Sequence, residues 1–197
     1  MSKSDPSISK REKRKTIRWV ATIFLVTIFV SGLITFLSDI LMEVSTMAVA
    51  FLILLAIILV GIVFDIIGMA VATADERPFH SMAARRVPGA QEAIRLLRNA
   101  ERVSSICNDV VGDICGVVSG SASASIAAQV LARFEDFAWP QLFALIMSAL
   151  AAGLTVGGKA IGKTYAVKSC TVIVHGVGKF IWGLRHFPEL LRKKRKS

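Results

Sequence analysis

Nineteen consecutive residues from Trp19 to Leu37 carry no charge, and as a helix they are long enough to cross the hydrocarbon core of a bilayer. Three more stretches make the same demand. Met47 to Thr73 is interrupted only by Asp65, Val103 to about Arg133 carries a few polar residues, and Trp139 to Ile161 is uncharged until Lys159. Inside lipid every backbone N–H and C=O must be satisfied within the segment, which leaves the helix as the unit for long apolar runs such as these. The expected fold is all-α: a polytopic helical membrane protein of about four transmembrane helices plus interfacial amphipathic helices. A chain that is 54% hydrophobic suits this class better than a soluble one.

The segments between the runs organise the rest. Residues 1–16 form a basic tail, 17–42 a first span, 47–187 the main membrane domain and 188–197 a basic C-terminal tail. The first apolar run is longer than a signal-peptide core and no small-x-small cleavage site follows it, so a retained anchor is expected. Pro78, Pro88 and Gly89 break the polar stretch 74–102. Within it Ala90, Ala93, Ile94 and Leu97 recur at helical spacing, predicting a surface helix over 88–103. Residues 164–187 mix apolar side chains with Lys168, Lys179, Arg185 and two histidines, which predicts an interfacial belt with Phe180, Trp182 and Phe187 at headgroup level.

Charge sets the orientation. Residues 2–18 hold seven basic side chains, 74–102 hold six arginines, and Arg192 to Lys196 are basic without a break. The turns near 39–46 and 134–138 are acidic. Four spans with both termini cytoplasmic put every basic segment inside, as the positive-inside rule requires, in a multi-pass protein of the cell membrane. The net charge of +10 then reads as topology signal and as attraction to a bilayer containing anionic lipids. No nucleic-acid recognition module accompanies it, so no nucleic-acid partner is expected.

Several motifs point nowhere in this setting. Gly157 to Thr164, GGKAIGKT, matches the phosphate-cradling G-x-x-x-x-G-K-[ST] pattern, but a span precedes it where a strand is needed and Glu189 is the one acid that follows. No nucleotide is expected. Cys107, Cys115 and Cys170 make no disulfide framework, and His80, His175 and His186 stand alone. No nucleophile–base pattern is readable, so the chain is not read as an enzyme.

The polar residues inside the spans carry the functional question. Asp65, Asn108, Asp109 and Asp113 lie in apolar stretches, where an acid costs about 2.5–3.5 kcal/mol on insertion scales and usually faces a bundle interior or a polar cavity. Their oxygens suit Mg2+ or another hard cation, or a proton relay; no cofactor is otherwise implied. The bland alternative is interhelical hydrogen bonding that serves packing alone. Lys159 offers an internal counter-charge if it lies near these acids, and a snorkelling side chain if it does not. Gly112, Gly116, Gly120 and Ala124 form a four-residue ladder that lets helices approach closely, within one chain or across a homodimer.

Residues from about Phe51 to Arg185 resemble the transmembrane domain of the CNNM/CorC magnesium transporters. The blocks are Phe64–Thr73 (FDIIGMAVAT), Gly89–Val103 (GAQEAIRLLRNAERV) and Gly158–Thr164 (GKAIGKT), the last similar to the family's Gly-Glu-x-x-Pro-Lys-Thr. The resemblance implies a divalent-cation site and dimerisation; against the family, an extra N-terminal span is expected in this chain, and the cytoplasmic regulatory domains common there are not expected in it. It also departs at the site. The family's serine and glutamate, three residues apart on its first helix, fall on Asp65 and Gly68; its later glutamate falls on Lys159 and its proline on Gly162. Its Asn-Asn pair falls on Asn108-Asp109 only if about one helical turn is deleted; without that gap it falls on Val111-Gly112 or, shifted by one, Gly112-Asp113. Two expectations follow: a divergent ion-transport domain with Asp65, Asn108, Asp109 and Asp113 as ligands, or a non-transporting scaffold or regulator in which Lys159 replaces the ion.

Overall fold

A computed structural model describes residues 6–44, 46–133 and 139–194, with side chains over 17–38, 40, 46–132 and 139–185. The acidic turn at 134–138, the side chains of Asp39 and Glu43 and those of the C-terminal basic run lie outside the described residues. The described chain is helical, without strands: α1 (Pro6–Val44), α2 (Met47–Thr73), α3 (Arg77–Ala84), α4 (Ala90–Arg98), α5 (Ala100–Ser105), a π-helical segment (Ile106–Gly112), α6 (Asp113–Arg133), α7 (Pro140–Lys168) and α8 (Cys170–Lys194). Among the described residues, four continuous stretches are long and apolar enough to span a bilayer: 17–38, 47–73, 100–132 and 140–168. The protein is an all-α multi-pass membrane protein.

α2 is the hub. Against it pack α7, α6, the π segment, α5 and α8, while α1 lies outside, chiefly on α6. The reason is visible in its pattern: Ala50, Leu54, Ile58, Gly61, Asp65 and Gly68 are buried, whereas Leu52, Leu55, Leu59 and Val63 face outward to lipid. Since lipid is as apolar as leucine, close packing and not water exclusion holds these helices together. Gly61 takes the Cβ of Cys115 against its backbone, and Gly158 and Gly162 of α7 receive the side chains of Ile62 and Ile66.

Two apolar clusters result, one at each end of α2. Ala50, Leu54 and Ile58 pack on Ala122, Ile126 and Val130 at one end. Ala70 and Val71 join Phe79, Ala93, Leu97, Ala166 and Val174 at the other. Asp65 falls between them.

The surface layer is built from breakers and caps. Asp75 Oδ1 accepts from the Arg77 amide at 3.0 Å, and a proline in its first turn starts α3. α3 closes with the paired bonds Val87 N to Met82 O and Arg86 N to Ala83 O, a Schellman turn. At Gly89 φ is +85° and an added Cβ would strike the backbone of Gly178 and Lys179, so α4 starts hard against α8. The expected surface helix over 88–103 is therefore two helices: Asn99, whose Nδ2 donates to Arg95 O at 3.0 Å, separates α4 from the start of the third span.

Antiparallel spans put the start of α1, the α3–α4 layer and α8 on one side of the membrane. Arg102, at the foot of the third span, lies 5.4 Å over the Trp19 ring at the foot of the first. Reporter fusions at the N- and C-termini are expected to read the same compartment; opposite readings would overturn the four-span arrangement.

Candidate functional site

Among the described residues Asp65 is the most deeply buried acid, 3% exposed, on the inner face of α2. Its Oδ2 lies 3.7 Å from Lys163 Nζ of α7, an ion pair beyond hydrogen-bond distance, and it has no hydrogen-bond partner. Lys159, one turn earlier on α7, donates its ammonium to the Gly112 carbonyl at 3.1 Å. Asp65 Oδ1 and Lys159 Nζ both lie within 4 Å of the position a Gly112 side chain would fill. Three helices thus meet at one point: a carboxylate from α2, two ammonium groups from α7 and a carbonyl from the end of the π segment.

That carbonyl belongs to the residue that closes the π segment. Wider i→i+5 turns are rare and shift the helix register where they end. The carbonyl of Gly112, its last residue, accepts from a lysine, and no side chain stands in the way. The same segment presents Asn108, half-buried, whose carboxamide rests against the Gly68 backbone, one turn along α2 from Asp65. Asn108 Nδ2 donates to Ser104 Oγ at 3.2 Å; its buried Oδ1 has no hydrogen-bond partner.

The remaining expected ligands face elsewhere. Asp109 and Asp113 share one side of the third span, as their spacing requires, but that side is exposed. Ser105 Oγ donates to Asp109 Oδ2 at 2.8 Å. Among the described residues, no three His, Cys, Asp or Glu side chains gather closely enough to hold a metal together. Nor does any carboxylate among them come within 4.0 Å of Lys159 Nζ; the counter-charge in ion-pair reach of Asp65 is Lys163, a residue of the P-loop-like string. The two lysines' spacing of four on one helix was the signal that could have found it.

That string is helical throughout, within α7, so its amides bond along the helix and make no phosphate cradle. The glycine ladder divides: Gly112 is buried at the site, while Gly116 and Gly120 have nothing within 4 Å. All three cysteines are free. No family model matches the chain, and neither does a curated protein or a solved structure.

Chemically the cluster holds one acid and two bases, a net charge of +1 if all are ionised. Unit charges 4 Å apart interact by roughly 4 kcal/mol at an effective dielectric of 20, and a divalent ion would be repelled by each ammonium by about twice that. The Asp65–Lys163 pair is expected to couple measurably. In a cycle of Asp65→Asn, Lys163→Met and the double variant, thermal unfolding in detergent should give a coupling of about 0.5–3 kcal/mol. Values toward the lower end are expected because the Lys163 side chain is 48% exposed. Additive single effects would contradict the pairing.

Proposed function

We propose that the protein is a non-transporting membrane scaffold or regulator, built on a CNNM/CorC-like arrangement in which lysine ammonium groups stand where a divalent cation would sit. The observation that carries the reading is the placement of Lys163 beside buried Asp65, with Lys159 capping the Gly112 carbonyl at the same point. Support also comes from which positions converge. The resemblance aligns Asp65, Gly68, Asn108 and Lys159 with the family's ion-site region, and they lie around one junction of α2, the π segment and α7. At the aligned position an acid has become a base, Lys159, while Lys163 one turn later falls on the lysine of the family's Gly-Glu-x-x-Pro-Lys-Thr.

A specific observation favours the other reading, a divergent ion transporter. Asp65 Oδ2 and Asn108 Oδ1 are both buried oxygens with no hydrogen-bond donor, and such oxygens are what a hard cation binds. The lysines weigh against it, since an ion entering beside Asp65 would have to displace Lys163. On either reading the basic side carrying the N-terminus, the α3–α4 layer and α8 is cytoplasmic, and the membrane is the cell membrane.

Calorimetric titration separates the two. Wild-type protein in detergent should show no saturable Mg2+ binding. Lys159→Glu, which returns an acid to the aligned position and lowers the site charge by two, should bind Mg2+ measurably. Saturable binding to wild type that Asp65→Asn abolishes would overturn the scaffold reading and establish the ion site.

A further inference from the structure

A second polar feature lies apart from Asp65, at the membrane surface. Between the α3–α4 turn and α8 there is a cavity of about 280 Å3 whose wall includes Arg86, Gly89, Gln91, Glu92 and Trp182. At about 30 Å3 per water molecule it has room for a group of several heavy atoms. Its depth follows from the fold. The α3–α4 turn joins the ends of two spans, and α8 keeps Val172, Phe180 and Leu184 exposed like a helix dipping an apolar face into lipid. A tryptophan in the wall suits headgroup level.

The charge around the cavity is positive. Glu92 is buried, and its Oε1 takes two guanidinium groups, Arg95 at 3.4 Å and Arg185 at 3.8 Å. That leaves one unit of excess charge, and Arg86 adds a second, with no carboxylate within 4.0 Å among the described residues. His175, at the far side of the turn, donates to the Pro88 carbonyl at 3.3 Å and supplies no acid. The first turn of α4 faces the same space without a capping side chain, so its dipole acts in the same direction.

Arg86 is also an unusual residue for its backbone. It occupies the left-handed position of the Schellman turn, φ 57°, where glycine is the common choice and other residues are strained by roughly 1–2 kcal/mol. The turn gives up that relief and gains a guanidinium on the cavity wall.

We propose that this cavity binds the phosphodiester headgroup of an anionic membrane lipid, with Arg86 as its principal phosphate ligand and Trp182 beside the glycerol. The inference is independent of how the Asp65 site is read. The source of the phosphate is the bilayer because the cavity sits at its surface and the net charge of this layer matches an anionic leaflet.

The test uses the full chain carrying Trp19→Phe and Trp139→Phe, so that Trp182 is the sole tryptophan, in detergent micelles doped with brominated lipid. Brominated phosphatidylglycerol should quench Trp182 saturably, and brominated phosphatidylcholine should quench at least fivefold less at equal mole fraction. Arg86→Gly should weaken phosphatidylglycerol quenching at least fivefold; glycine adopts this backbone freely, so misfolding is not the cause. Arg77→Ala, which removes a paired charge on the far end of α3, should leave it unchanged. Equal quenching by both lipids, or full quenching in Arg86→Gly, would overturn the proposal. Complete displacement by soluble glycerol phosphate at equimolar concentration would overturn the lipid as source.

Discussion

A carboxylate held between two apolar clusters inside a bilayer needs a partner, and the arrangement of the spans follows from supplying one to Asp65. α2 buries it, so the helices that reach it must come close. Glycines at the contacts allow this: Gly61 and Gly68 on α2, Gly112 at the end of the π segment, Gly158 and Gly162 on α7. Through that narrow approach α7 brings Lys163 to 3.7 Å and seats Lys159 on the Gly112 carbonyl. Removing one member of such a group leaves a buried charge without compensation, which costs more than the pair contributes when intact.

Two electrostatic layers then stand apart in the molecule. The inner one sets one acid against two bases and leaves two buried oxygens, Asp65 Oδ2 and Asn108 Oδ1, without a donor. The surface layer, α3, α4 and α8, carries arginine that has no carboxylate in ion-pair reach among the described residues, Arg86 on the cavity wall included. An ion pathway would require the first layer to open, and a lysine in ion-pair reach of the acid resists that.

The spans themselves were legible because hydrocarbon permits so few solutions. Met47–Thr73 is a helix over the same residues that the apolar run marks. α7 was read short, ending near Ile161, because Gly157, Gly158 and Lys159 look like a helix end. It continues to Lys168, and along it Lys159 and Lys163 find partners on other elements, which no local pattern reveals. The π segment left no mark in the sequence either, since nothing in ICNDVVG departs from ordinary helical periodicity. The acids were seen, but burial sorted them in a way spacing could not: Asp65 faces in, Asp109 and Asp113 face out. The small-residue ladder announced close packing without saying against what; of its glycines, Gly112 alone has a described neighbour within 4 Å of where a side chain would begin.

The central claim is that lysine, and not a metal ion, neutralises Asp65. Anomalous scattering from crystals grown with Mn2+, a stand-in for Mg2+ at oxygen ligands, addresses it at the atom. The account predicts no anomalous peak at Asp65, with Lys163 Nζ remaining in ion-pair reach of Oδ2. A peak about 2.0–2.2 Å from the Asp65 carboxylate, with Lys163 turned away, would contradict it.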